Sequence, residues 1–100
     1  MSAGQRLSIF ERLALLSEKR GATDEADRYF GQGLAEAEDG GVPDSATISF
    51  LRKYLEFAQR VGRPEAANDA MRRLIDRLSA SPETYEWVMQ LRYTLAVNLT

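Results

Sequence analysis

The chain contains no cysteine and no histidine. Without cysteine no disulfide framework is possible, so a hydrophobic core has to carry the fold. Zinc sites of the usual thiolate and imidazole type are excluded, as are mechanisms with a Cys or His nucleophile or base. A strong charge of one sign is also lacking: 13 basic against 15 acidic residues leave a net charge of -2. Residues 1–43 carry five basic and eight acidic side chains, and residues 44–100 carry eight and seven. So mild an asymmetry gives no general attraction to nucleic acid or to a membrane surface. No apolar run approaches membrane-spanning length. Met1-Ser2-Ala3-Gly4-Gln5-Arg6 lacks the apolar stretch of a secretory signal. A cytoplasmic location is the expectation.

The 100 residues suit one domain with a small core. Hydrophobic residues make up 44% and charged residues 28%, a balance that argues against disorder. Apolar residues recur with helical spacing almost everywhere, and no segment alternates with period two. Leu7, Phe10, Leu13, Ala14 and Leu16 form one stripe, stopped by Gly21. A glycine just past such a stripe tolerates the left-handed conformation of a helix stop. Thr23 can cap a second helix, with Asp24 and Glu25 in its first turn. That helix carries Ala26, Tyr29, Phe30, Leu34 and Ala37, and it ends at Glu38-Asp39-Gly40-Gly41-Val42-Pro43. Asp44 or Ser45 can cap a third, with the stripe Ile48, Leu51, Tyr54, Leu55, Ala58 and Val61, stopped by Gly62. Pro64 suits the first turn of a fourth, where its missing N–H costs nothing. Ala67, Ala70, Met71, Leu74, Ile75 and Leu78 make that one amphipathic. Ser81-Pro82-Glu83 starts a fifth by the same logic.

The two halves repeat a pattern. Gly21 and Gly62 stand 41 positions apart, each between two amphipathic segments. Ala26 and Ala67 lie five residues beyond them, Tyr29-Phe30 and Ala70-Met71 eight and nine beyond. A very short turn folds two helices into an antiparallel hairpin. One hairpin cannot bury its apolar face alone, so a second is expected to stack on it. The expected fold is all-α: antiparallel helical hairpins stacked as a short α–α superhelix of five helices.

Leu13, Ala14, Gly21, Ala26, Tyr29, Phe30 and Leu34, with Gly62, Ala67 and Met71 in the second half, resemble the tetratricopeptide repeat. The usual period of that repeat is about 34 residues, and the extra length here falls in Glu38–Ser45, as in the longer kinesin-light-chain type. Tyr54-Leu55 and Leu74 depart from the family pattern. The resemblance implies one domain over residues 1–100: a first repeat over about 7–38, a second over about 48–79, and a C-terminal helix over about 83–99. It also implies a peptide or partner helix bound on a concave face lined by the first helix of each hairpin. By position that face takes Glu11, Leu15, Glu18 and Lys19, then Ser49, Arg52, Glu56 and Arg60, then Glu86, Met89 and Tyr93. The family's carboxylate clamp requires Lys and Asn where Glu11 and Leu15 stand, so chaperone C-terminal peptides are not expected ligands.

The fifth helix is the more informative feature. Tyr85, Trp87, Val88, Met89, Leu91, Tyr93, Leu95, Ala96, Val97 and Leu99 surround most of its circumference. A helix apolar all round expects burial all round, and terminal repeats normally end in a polar face. An exposed apolar patch marks an interaction surface; the other reading is that this helix folds deeper into the core or belongs to a truncated longer array. Arg52, Glu56, Arg60, Trp87, Met89 and Tyr93 are the expected partner-binding residues.

Glu36, Glu38, Asp39 and Asp44 surround Gly40-Gly41, but without the alternating spacing of a calcium loop they read as a solvated turn. Arg72, Arg73 and Arg77 make a basic edge without interleaved aromatics, so nucleic acid is not an expected partner. Gly31 and Gly33 interrupt the second helix, each at about 1 kcal/mol relative to Ala, and close packing by a neighbour is one reason to keep them. No metal, cofactor or catalysis is expected. The expectation is an adaptor or chaperone that binds a protein segment. A small inhibitor or regulator of a larger enzyme, and a self-assembling subunit such as a homodimer, stay open.

Overall fold

A computed structural model describes residues 3–38, 42–79 and 84–99. Five α-helices account for nearly all of them: α1 (Ala3–Lys19), α2 (Thr23–Glu38), α3 (Asp44–Arg60), α4 (Pro64–Leu78) and α5 (Tyr85–Leu99). Among the described residues there is no strand. The chain forms two compact units, Met1–Phe50 and Leu51–Thr100, so α3 contributes its first turns to one and the remainder to the other. No helix among the described residues is long and apolar enough to cross a membrane.

In the first unit α1 packs on α2. The reversal between them is made by Gly21, whose φ of 80° only a residue without Cβ adopts freely. The Gly21 N–H donates to the Glu18 carbonyl at 3.0 Å, and the Ala22 N–H donates to that of Ser17 at 2.9 Å. This pair of bonds satisfies carbonyls that the end of α1 would otherwise leave open. The turn is so short that the helices must run antiparallel. Accordingly Arg6 near the start of α1 meets Glu36 near the end of α2 at 3.4 Å. The core consists of Leu7, Ala14, Ala26, Phe30, Leu34, Ala37, Val42 and Phe50. Phe30 and Phe50 meet edge to face, with centroids 5.6 Å apart. Gly33 makes that contact possible, because a Cβ there would overlap the Phe50 ring. Gly31 has no such neighbour, so of the two glycines only Gly33 serves close packing.

The second unit repeats the device 41 residues on. Gly62 has φ 71°, and the Arg63 N–H donates to the Ala58 carbonyl at 2.9 Å, as Ala22 does to Ser17. Pro64 takes the first turn of α4, and no side chain caps that helix at Arg63. The core is built from Leu51, Tyr54, Phe57, Ala58, Ala67, Ala70, Met71, Leu74, Leu78, Val88 and Leu91. The Thr84 hydroxyl donates to the Leu78 carbonyl at 2.6 Å, tying the start of α5 to the end of α4. At the other end Asn98 of α5 donates to Asn68 of α4 at 3.4 Å. These two bonds place α5 antiparallel to α4, and the helices pack together. Ala26 and Ala67 are buried in their respective units, as are Phe30 and Met71, so the repeated pattern marks equivalent core positions.

Several expectations change. Helix α1 begins at Ala3, ahead of the first residue of its expected apolar stripe, Leu7. Thr23 and Asp44 lie inside their helices: the Ala22 carbonyl accepts from Ala26, and that of Pro43 from Thr47. Leu16 is half exposed, whereas Ser17 is buried. On α3 the stripe is rotated: Thr47, Phe50 and Phe57 are buried with Leu51, Tyr54 and Ala58, while Ile48, Leu55 and Val61 are only half-buried. Residues 39–41 and Ser81-Pro82-Glu83, with their proposed turn and cap, lie outside the described residues.

Candidate functional site

All six expected partner-binding residues belong to the second unit, on α3 and α5. Arg52, Glu56 and Arg60 follow one another at four-residue intervals, so they share one side of α3, and all three are exposed. That side lies opposite Leu51, Tyr54, Phe57 and Ala58, which hold the helix in the core. Glu56 pairs with Lys53 on its own helix at 4.0 Å; both are about half exposed, so the pair adds little stability. Arg52 reaches α5, where its guanidinium sits 5.2 Å from the centre of the Trp87 ring. A cation over an indole face at that range is attracted by the ring quadrupole, worth about 0.5–1 kcal/mol where solvent has access.

A surface cleft of about 340 Å³ lies further along the same two helices. Ala58, Gln59 and Arg63 line it from the α3 side, and Thr94 and Asn98 line it from α5. Arg52, midway along α3, faces Trp87 near the start of α5, and Gln59 shares the cleft with Asn98 near the ends of both helices. The second half of α3 and α5 therefore run side by side in the same direction.

The structure divides the expected α5 residues between two sides of the helix. Val88 and Leu91 are buried, while Trp87 and Leu95 are half-buried beside them. Tyr85, Met89, Tyr93 and Val97 point the other way, at 65%, 45%, 73% and 53% exposure. They are four residues apart each time, which makes a single ridge along a helix. Ala96 lies on the same side and is also exposed. Met89 and Tyr93 thus belong to an open apolar ridge, whereas Trp87 is held at the edge of the core beneath Arg52. Tyr85 and Val97 complete the ridge; their four-residue spacing from Met89 and Tyr93 was the signal that selects them.

In the first unit Ile9 and Leu16 of α1 are exposed, but seven residues apart they form no continuous ridge. Among the described residues no group of three or more His, Cys, Asp or Glu side chains is placed to hold a metal ion. Comparison of the chain with protein-family models, with curated proteins and with solved structures returned no match.

Proposed function

We propose that this chain is a non-enzymatic interaction module of the tetratricopeptide-like kind, an adaptor or chaperone that binds a peptide or helix of another protein in the cytoplasm. The observation that carries this reading is the ridge Tyr85–Met89–Tyr93–Val97, left open on the side of α5 opposite its buried residues. A soluble protein places tyrosine and methionine in such a row at a cost in solubility, and the residue types are those that interface cores favour. The two glycine turns 41 residues apart and the side-by-side course of α3 and α5 support the repeat architecture. In that architecture α3 and α5 are the helices that face a ligand. Arg52, Glu56 and Arg60 then supply polar contacts at the rim, and the α5 ridge supplies the apolar centre, the usual division of labour in an interface.

A photoreactive amino acid placed at Tyr93 tests this in the native host, with the exposed Asp76 of α4 as the control position. Position 93 should capture a defined protein and position 76 should not. Tyr85→Glu elsewhere on the ridge should reduce the yield at least about tenfold, the cost of putting an unpaired charge into an apolar contact, while circular dichroism stays unchanged. Equal labelling from both positions would overturn the reading.

A further inference from the structure

The α5 ridge is close to a palindrome about Met89. Three and four positions before it stand Glu86 and Tyr85; three and four positions after it stand Arg92 and Tyr93. Glu86 and Arg92 are the only charged residues of α5, and both are exposed. The face is therefore neutral as a whole, with one acid and one base at mirrored positions. Suppose α5 is laid antiparallel on a copy of itself, with the two-fold axis at Met89. Tyr85 then meets Tyr93 of the second copy, and Tyr93 meets its Tyr85. Glu86 comes level with Arg92 of the second copy, and the reverse. A two-fold interface demands this property, since residue i must suit residue j and j must suit i. An arbitrary apolar face does not have it.

Two further observations fit the same occupant. The ridge advances four residues at a time, and such rows from two helices interdigitate at a crossing angle of about −50°. The exposed area sets the strength of the contact. Taking about 200 Å² for a whole aromatic side chain and somewhat less for methionine, the exposed parts of Tyr85, Met89 and Tyr93 come to roughly 350 Å² per copy. Two copies would then bury roughly 700 Å² through these residues, below the standard size of stable interfaces, so the complex is weak and reversible. With a net charge of only -2, two copies repel each other little.

We infer that the α5 ridge docks on the α5 ridge of a second copy of this chain, antiparallel about Met89, as a weak homodimer. This rests on the reading of the ridge as a protein-binding face and names the partner. Sedimentation over about 1–500 µM should show a mass that climbs from 11.2 kDa towards twice that value, with a dissociation constant in the tens of micromolar. Tyr93→Glu should keep the helical content and stay monomeric at every concentration. Because the chain has no cysteine, engineered thiols read the register. Met89→Cys should oxidise to a disulfide-linked dimer. Tyr85→Cys should not link to itself, but should link to Tyr93→Cys when the two are mixed. A mass that stays at the monomer value throughout, or a dimer that Tyr93→Glu leaves intact, would overturn the inference. If the chain is monomeric and position 93 still captures a host protein, the binding reading stands and only the second copy is ruled out as the partner.

Discussion

Gly31 and Gly33 stand two positions apart on α2 and have opposite consequences. At Gly33 a Cβ would run into the Phe50 ring, whereas at Gly31 nothing lies within reach of one. Glycine inside a helix costs about 1 kcal/mol relative to alanine, so each substitution begins with the same local gain. At Gly31 that gain should be kept, and Gly31→Ala should raise unfolding stability by up to about 1 kcal/mol. At Gly33 the gain meets a fully buried ring that also packs edge-on against Phe30. Overpacking of that kind typically costs about 1–3 kcal/mol, so Gly33→Ala should be destabilising. Urea midpoints of the two variants decide the matter, and a Gly33→Ala protein as stable as Gly31→Ala would show that Phe50 moves aside freely. Combining Gly33→Ala with Phe50→Leu should recover part of the loss, because the two positions share one contact.

At the scale of the element, the two turns set the hairpins. Gly21 and Gly62 both have positive φ, yet neither has an atom within reach of an added Cβ. The strain of a substitution there is conformational alone, and alanine should cost about 1–2 kcal/mol at either position, the penalty of a left-handed L-residue. Matched losses in thermal unfolding for Gly21→Ala and Gly62→Ala would confirm the equivalence of the turns; a neutral variant at either would contradict it. These turns were legible in the sequence because only glycine suits that φ. The α3 stripe was not. Apolar residues occupy more than half of its circumference, so period alone does not choose between Ile48-Leu55 and Phe50-Phe57. The choice is made by a neighbour, the space left by Gly33 on another helix, which no local pattern records. The site follows the same division. The exposure of Met89 and Tyr93 agrees with a helix that has apolar residues on every side. Which aromatic residue faces outward depends on tertiary partners, and Arg52 holds Trp87 where a pattern of spacings would leave it open. The starts of α2 and α3 lie one residue or more before the expected positions, since the first helical bonds run to the carbonyls of Ala22 and Pro43, which puts Thr23 and Asp44 inside the helices.

At the scale of the whole molecule, a ridge that docks on a second copy would couple folding to association. Anything that binds only the folded chain stabilises it in proportion to the logarithm of its concentration, and for a self-associating chain that ligand is the protein itself. The ion pairs Arg6–Glu36, Lys53–Glu56 and Arg73–Asp69 are solvent-accessible and add little that depends on concentration. With a dissociation constant in the tens of micromolar, raising the chain from about 5 to 500 µM adds on the order of 1 kcal/mol to the folded state. For a domain of this size 1 kcal/mol corresponds to roughly 4–8 °C in Tm. Scanning calorimetry at the two concentrations should therefore show a shift of that size for the unmodified chain. Tyr93→Glu should unfold at the same temperature at both, because it loses association without losing a core contact. A concentration-dependent Tm in Tyr93→Glu as well would mean that the stabilising contact between copies lies on some face other than the α5 ridge.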